Sequence, residues 1–225
     1  MREYKRLTLL CGHYGSGKTN VAVNLAFDLK TKQPNVALAD LDIVNPYFRA
    51  KDSAKDLKKS GIRVICSEYA NTNVDIPALP QDIYSLTDDT SLWAVLDIGG
   101  DDRGAYALGR IVPAMMNEKN YEMLMVINMY RPLTPDAESV IEVMREIEYA
   151  CKVSFTGIVN NSNLGDKTTP DDVLKSVPFA DEVSRLSGIP VVMTTVKDDL
   201  YGELQGKIND LFPLKLQAKP YDMSL

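Results

Sequence analysis

The stretch CGHYGSGKTN, residues 11–20, is the most informative part of this sequence. It contains the pattern G-x-x-x-x-G-K-[ST], whose fixed positions are Gly12, Gly17, Lys18 and Thr19. An apolar strand is predicted over 6–12 and a helix over 17–31, so the pattern occupies a strand-to-helix turn. That context is typical of a loop that cradles the phosphates of a nucleotide.

The residue types of this loop predict how it would hold phosphate. Glycines at Gly12, Gly15 and Gly17 leave the backbone N–H groups free to converge on phosphate oxygens. The start of the following helix adds partial positive charge at the same point. Lys18 is expected to reach the β- and γ-phosphates, and the Thr19 hydroxyl is expected to bind Mg²⁺.

Two further strand ends carry acidic residues. In LWAVLDIGG, Asp97 follows an apolar run and precedes Gly99 and Gly100. A carboxylate there can hold Mg²⁺ through a water, while the glycine N–H groups approach the γ-phosphate. In LADLDIVNP, Asp40 and Asp42 are two residues apart, so on a strand they face the same way. Two such carboxylates suit a metal ion and an attacking water.

Short apolar runs alternate with longer amphipathic segments along the chain. The predicted strands are 6–12, 35–41, 62–66, 92–98, 122–128, 153–159 and 189–194. The predicted helices are 17–31, 52–60, 104–118, 135–150, 171–187 and 199–211. Only 67–91 reads as irregular. This alternation predicts an α/β fold with a mostly parallel sheet of about seven strands and helices on both faces, and one domain over residues 1–225 is expected.

The composition limits the classes of function. Hydrophobic residues make up 45% and charged residues 25%, and the net charge is −6. An acidic chain does not indicate a nucleic-acid or anionic-membrane binder. No run of about 18 apolar residues occurs, so no membrane span is predicted. Three widely spaced cysteines are typical of reduced thiols, and a cytoplasmic location is expected.

Taken together, these elements resemble the MinD/ParA-like P-loop ATPases of the CobQ/CobB class, which also includes dethiobiotin-synthetase-like proteins. The resemblance rests on GHYGSGKT, VALADLDIVNP, WAVLDIGG and GIVNN, and it covers most of the chain. It implies a P-loop NTPase three-layer sandwich that uses ATP and Mg²⁺.

The resemblance also implies roles for individual residues. Phosphate contacts are implied along 15–20, a segment that includes Ser16 and Asn20. The implied catalytic residues are Lys18 on the β/γ oxygens, Asp42 on the hydrolytic water, and Asp40 in support of the metal or the water. The implied metal ligands are Thr19, Asp97 and Asp42.

A base contact is implied at Asn161, where the family has an asparagine that contacts adenine; Asn160 is the neighbouring alternative. An amide carries a donor and an acceptor, which suits the N6/N7 edge of adenine. A turn residue after a strand is the other interpretation of either asparagine.

The loop departs from the family at one decisive position. ParA-type members read G-K-G-G-x-G-K-[ST], and their first lysine reaches the phosphates of a partner subunit. Here that position holds His13, followed by Tyr14. Histidine is not a constant cation at neutral pH, so the mechanism with a partner's lysine is not carried over. His13 is either a hydrogen-bonding loop residue or a phosphate contact. The candidate replacement cations are Arg49, Arg103 and Arg131.

The sequence therefore predicts a Mg²⁺-dependent ATPase that acts as a nucleotide-dependent switch. Its expected partners are ATP and either a second copy or an unidentified protein. One alternative is a small-molecule ligase or kinase with an acceptor pocket built from 43–49 and 67–91. Another is a nucleotide-binding regulator with negligible turnover. ATP is preferred over GTP because no N-K-x-D guanine motif occurs.

Overall fold

A computed structural model describes residues 2–41, 54–66, 81–99, 108–109 and 111–216 of this chain. Within these ranges, eight β-strands form one sheet in the order β3-β2-β4-β1-β5-β6-β7-β8, and every neighbouring pair is parallel. The strands are β1 Leu7–Cys11, β2 Val36–Leu41, β3 Ile62–Cys66, β4 Trp93–Ile98, β5 Tyr121–Ile127, β6 Gly157–Asn160, β7 Val191–Lys197 and β8 Leu211–Leu214.

Seven α-helices lie in the same described ranges. They are α1 Lys18–Lys30, α2 Ala54–Lys59, α3 Ser85–Asp88, α4 Val112–Glu118, α5 Ala137–Cys151, α6 Pro170–Ser187 and α7 Asp198–Leu204. Two short 3₁₀ segments, Gln81–Tyr84 and Gly165–Lys167, complete the described secondary structure.

The two faces of the sheet form separate apolar cores. On one face, Leu25 of α1 packs with Leu10 and Val95 from neighbouring strands. On the other face, α5 and α6 cover alternate residues of the same strands, as Val140 packs with Leu9. Because helices cover both faces, the strands are apolar on both sides, as expected of a buried parallel sheet. Because all eight described strands are parallel, their carboxyl ends lie at one edge of the sheet, where α1 begins.

The longest helices begin where local sequence provides a cap. Asp136 precedes α5, and its side chain accepts a hydrogen bond from the Ser139 N–H at 2.9 Å. Thr169 and Asp172 form a reciprocal capping box at the start of α6. These contacts satisfy N–H groups that lack helical partners, and they place both helix starts within one or two residues of the predicted positions.

The predicted α/β three-layer fold is confirmed, with eight strands rather than seven. The prediction of a helix over 199–211 was wrong at its end, because α7 stops at Leu204 and β8 follows. Strand β8 contains Pro213; among the described strands it pairs with β7 alone, and an edge strand tolerates proline.

Other boundaries moved by a few residues. The predicted strand 153–159 begins only at Gly157, where a Cβ would lie 2.8 Å from a Val192 methyl group. The second half of the predicted helix 104–118 is observed as α4, Val112–Glu118. Residues 104–107 lie outside the described ranges. So do 67–80, the greater part of the irregular segment.

Two of the cysteines are buried thiols. Cys11 ends β1 and Cys151 ends α5. Burial raises the pKa of Cys11 well above its usual value and raises the pKa of Cys151 to about 11. Both side chains therefore stay protonated at neutral pH and pack as small apolar groups.

Candidate nucleotide-binding site

The loop between β1 and α1 depends on glycine at two positions. Gly12 has a φ of 149° and Gly17 a φ of 88°, values that other residues rarely adopt. A Cβ on Gly12 would lie 2.4 Å from the Val126 carbonyl oxygen, and a Cβ on Gly17 would lie 2.3 Å from Nδ2 of Asn161. The backbone of the loop therefore packs directly against β5 and the end of β6.

Lys18 lies within this loop. Its ammonium group donates to the carbonyl oxygens of Gly12 at 3.0 Å and His13 at 3.3 Å, and the residue is 6% exposed. Helix α1 begins here without a side-chain cap, so its first N–H groups keep their partial positive charge. A buried cation beside uncapped N–H groups makes an anion site.

Thr19 and Asp97 join the start of α1 to the end of β4. The Thr19 hydroxyl donates to Oδ2 of Asp97 at 2.5 Å, and both side chains are buried. Asp40 of β2 is 6% exposed and lies directly opposite Asp97 in the strand register. Neighbouring strands are about 5 Å apart, so two carboxylates share the face that α1 covers.

These oxygens fit a small divalent cation. Mg²⁺ prefers oxygen ligands and usually takes one or two carboxylates, completing its shell with phosphate oxygens and water. In the part of the chain that the structure describes, no group of three or more His, Cys, Asp or Glu side chains could hold a metal. The oxygen donors of Thr19, Asp40 and Asp97 are of the kind that Mg²⁺ prefers.

Asn161 connects the phosphate loop to the sheet through two hydrogen bonds. Its Nδ2 donates to the Ser16 carbonyl at 2.6 Å, and its Oδ1 accepts from the Thr195 hydroxyl at 2.5 Å. Asn160 faces elsewhere, since its Nδ2 donates to the Ser176 hydroxyl of α6 at 2.9 Å. The adenine contact of Asn161 stays a prediction. Thr195 was missed, although it follows the apolar run of β7 at the same edge of the sheet.

A second missed residue is Asn128, which follows β5 and is 1% exposed. Its Oδ1 accepts from the Tyr130 N–H at 3.0 Å, and its Nδ2 donates to the Asn163 carbonyl at 3.3 Å. The Met129 N–H donates to the Ser162 hydroxyl at 3.0 Å. The signal was a polar residue directly after an apolar strand, VIN, at the carboxyl edge.

The side chain of His13 makes a local contact. Its Nδ1 lies 3.0 Å from the Tyr14 carbonyl oxygen, and Tyr14 itself is 65% exposed. The His13 carbonyl is the group that meets Lys18. A phosphate contact of the imidazole stays a prediction.

A shallow depression lies beside Asn161. It lies at the carboxyl ends of β6, β7 and β8 and has both apolar and polar walls. Its lining includes Asn163, Thr168, Val196, Lys197, Leu214 and Leu216.

The structure brings most of the predicted site residues to one edge of the sheet. The residues that meet there are Gly12, His13, Gly15, Ser16, Gly17, Lys18, Thr19, Asn20, Asp40, Asp97 and Asn161. Arg131 joins them, because a Cβ on Gly15 would lie 3.6 Å from its Nε. Asp42, Gly100, Arg49 and Arg103 lie outside the described residues.

This strand–loop–helix geometry defines the class as P-loop nucleotide-binding proteins. The sequence model of the CobQ/CobB/MinD/ParA nucleotide binding domain matches residues 11–190, and the chain belongs to that family.

Solved structures share the fold at low sequence identity. The cell division protein FtsY from Thermotoga maritima is 20% identical with a TM-score of 0.55, and the match covers 87% of this chain and 63% of that one. The 54 kDa signal recognition particle protein from Aeropyrum pernix, in complex with GDP, is 15% identical with a TM-score of 0.51, covering 86% and 42%. A nucleotide-binding protein from Archaeoglobus fulgidus, in complex with ADP, is 15% identical with a TM-score of 0.50, covering 91% and 90%.

This chain therefore spans less than two thirds of the FtsY protein from Thermotoga. No functionally curated protein matches the sequence. Among the described residues, none of the helices has the length and apolar character needed to cross a membrane.

Proposed function

We propose that this protein is a Mg²⁺-dependent ATPase whose nucleotide state acts as a switch. The observation that carries the proposal is the buried contact between the Thr19 hydroxyl and the Asp97 carboxylate, with Asp40 in register beside it. This contact joins the phosphate loop to the strand end that would hold the metal ion.

Lys18 and the backbone N–H groups at the start of α1 would bind the phosphates together. Lys18 would exchange its contacts with the Gly12 and His13 carbonyls for phosphate oxygens, while the N–H groups at the start of α1 hold the same oxygens. Thr19 and Asp97 would hold Mg²⁺, with Asp40 in support. When bound, the metal neutralises charge on the β- and γ-oxygens.

Hydrolysis needs a water aligned with the γ-phosphate. We assign that orientation to Asp42, two residues beyond Asp40, and a γ-phosphate contact to the Gly100 N–H; both residues lie outside the described ranges. A loop contact that depends on the γ-phosphate is lost on hydrolysis, which is how such proteins switch.

For the base, we propose that adenine binds at the carboxyl edge of the sheet beside Asn161. The Archaeoglobus protein holds ADP and the Aeropyrum protein holds GDP, so the fold accommodates either purine. The absence of N-K-x-D from the sequence favours ATP for this chain. We further propose a single domain, a cytoplasmic location, and a homodimer or a protein partner that responds to the bound nucleotide.

The test compares two lysines of the same helix. Lys18→Ala should weaken the affinity for ATP with Mg²⁺ by at least about a hundredfold and abolish phosphate release, because the phosphates lose a buried cation. Lys30, whose ammonium group donates to the Pro34 carbonyl at the other end of α1, provides the matched control. Lys30→Ala should leave both quantities unchanged.

Parallel titrations with ATP and GTP, each with and without Mg²⁺, would determine base and metal preference. A wild-type protein that binds neither triphosphate would refute the proposal. Tight ATP binding without phosphate release would instead assign a regulator, and turnover that requires an added metabolite would assign a ligase or kinase.

A further inference from the structure

We propose that Arg131 contacts the terminal phosphate of the triphosphate bound in its own subunit, supplying the cation that the loop lacks at His13. This inference rests on the proposed function and concerns the same site. Its basis is the position of one exposed arginine over the phosphate loop.

Arg131 lies against the tip of the loop. Atoms Nε, Cδ and Cζ of its side chain would be 3.6, 3.7 and 3.7 Å from a Cβ placed on Gly15. Gly15 has a φ of 78° and lies within the loop that Lys18 spans. The guanidinium group is therefore beside the backbone that would surround the phosphates.

The turn that carries Arg131 is held from several sides. The Arg131 N–H donates to the Asn128 carbonyl at 3.1 Å, and the Thr134 N–H donates to the Arg131 carbonyl at 3.2 Å. Buried Asn128 fixes the turn to the segment after β6 through Asn163. A turn with this many contacts positions the Cα of Arg131, while the side chain remains exposed.

No carboxylate neutralises this arginine within the described ranges, since none of their ion pairs includes it. Other arginines in these ranges do have such partners: Arg6 with Glu118 and Arg185 with Glu182. An arginine without a carboxylate partner, held beside an anion site, is suited to bind phosphate through its fork of N–H donors.

An arginine at this place could serve the role that the first loop lysine has in ParA-type members. Charge develops on the terminal phosphoryl group during its transfer, and a fixed cation beside it stabilises the transition state. An arginine beside the loop offers a planar fork of N–H donors that matches the oxygens of a phosphate. Arg131 belongs to the same chain as the loop it touches, so its contribution needs no second subunit.

The experiment compares triphosphate with diphosphate. Arg131→Ala should weaken ATP affinity about tenfold or more while changing ADP affinity by less than about twofold, because only ATP carries the terminal phosphate. Phosphate release at saturating ATP should fall on the order of a thousandfold. Arg131→Lys should recover part of the affinity, since the charge is kept and the fork is lost.

Arg145, an exposed arginine of α5, is the matched control, and Arg145→Ala should behave as wild type. An equal loss of ATP and ADP affinity in Arg131→Ala, or no loss, would overturn the inference. In either case wild-type ATP binding would leave the proposed function standing, and failure of the wild type to bind would refute both.

Mixing two inactive variants tests the same-subunit claim. Lys18→Ala and Arg131→Ala proteins should remain inactive when mixed, because neither chain holds both cations. Recovery of phosphate release in the mixture would show that Arg131 acts across a dimer and would overturn the assignment to its own subunit.

Discussion

At the amino end of the sheet, buried Arg6 lies against Glu118, whereas at the carboxyl end Asp40 and Asp97 lie next to each other. The Arg6 guanidinium donates through Nε and Nη2 to the Glu118 carboxylate, and through Nη1 to the Leu92 carbonyl at 2.8 Å. Opposite charges meet at this end, and each nitrogen of the buried Arg6 guanidinium has a hydrogen-bond partner.

The same pattern continues nearby. Arg2 pairs with Glu122 at 2.7 Å, and the Thr8 hydroxyl donates to the same carboxylate at 2.8 Å. At the carboxyl end, by contrast, register brings two carboxylates side by side beneath α1, next to the phosphate loop. We therefore expect the amino end to contribute mainly to stability and the carboxyl end mainly to nucleotide binding.

Gly12→Ala should have the largest effect and should act at the carboxyl end. The new methyl group would meet the Val126 carbonyl oxygen at 2.4 Å in a backbone conformation that alanine rarely adopts. We expect a loss of about 4 kcal/mol in the free energy of unfolding, together with loss of nucleotide binding. Chemical denaturation and ATP titration measure both.

Gly188→Ala is the matched control, because Gly188 also has a positive φ, of 72°, but has open space around it. It should cost about 1 kcal/mol and leave ATP affinity unchanged. Equal losses of stability in the two variants would show that the loop is not tightly packed against β5.

Glu118→Gln tests the amino end. Removing the carboxylate leaves the buried guanidinium of Arg6 without its counter-charge, and the expected loss is about 3 kcal/mol in the free energy of unfolding. ATP affinity, measured well below the melting temperature, should not change. Glu182→Gln, which breaks an exposed pair with Arg185, should leave stability within experimental error. Weaker ATP binding in Glu118→Gln would break the proposed division between the two ends.

Asn161→Ala tests whether the Asn161 side chain mainly positions the phosphate loop or contacts the base. The Ser16 carbonyl and the Thr195 hydroxyl would each lose a buried partner, and we expect a loss of about 2 kcal/mol in stability. If the side chain mainly holds the loop, affinity for ATP and GTP should fall by the same factor. A loss confined to ATP would assign Asn161 to adenine. The exposed Asn117→Ala serves as the control.

Asp97→Asn should have the smallest effect on stability. An amide keeps an acceptor for the Thr19 hydroxyl, so the hydrogen bond between α1 and β4 can remain. Without Mg²⁺ and nucleotide, we expect a change in the free energy of unfolding below about 1 kcal/mol, whereas the extra stabilisation that Mg²⁺ gives with ATP should disappear. Thermal melts with and without Mg²⁺ measure this, with exposed Asp181→Asn as the control. A loss as large as that of Glu118→Gln would show that the carboxyl end is also built for stability.

Much of the site followed from local sequence. The spacing of Gly12, Gly17, Lys18 and Thr19 predicted the loop, and Asp97 after an apolar run predicted the neighbouring strand end. Such features depend on residues close together in the chain. Strand β8 was missed because it is short and contains Pro213, so its sequence does not show the apolar pattern of a strand. Its pairing with β7 makes it part of the sheet.

A parallel α/β fold with a phosphate loop could be predicted from the sequence, because apolar periodicity and glycine spacing act over a few residues. Which distant groups meet at that loop became visible only in the folded structure. Asn161 holds the Ser16 carbonyl across 145 residues, and Arg131 comes to lie over Gly15. These contacts depend on strand order and register, which place β5 beside β1 and β6 next to β5, and which no short stretch of sequence encodes.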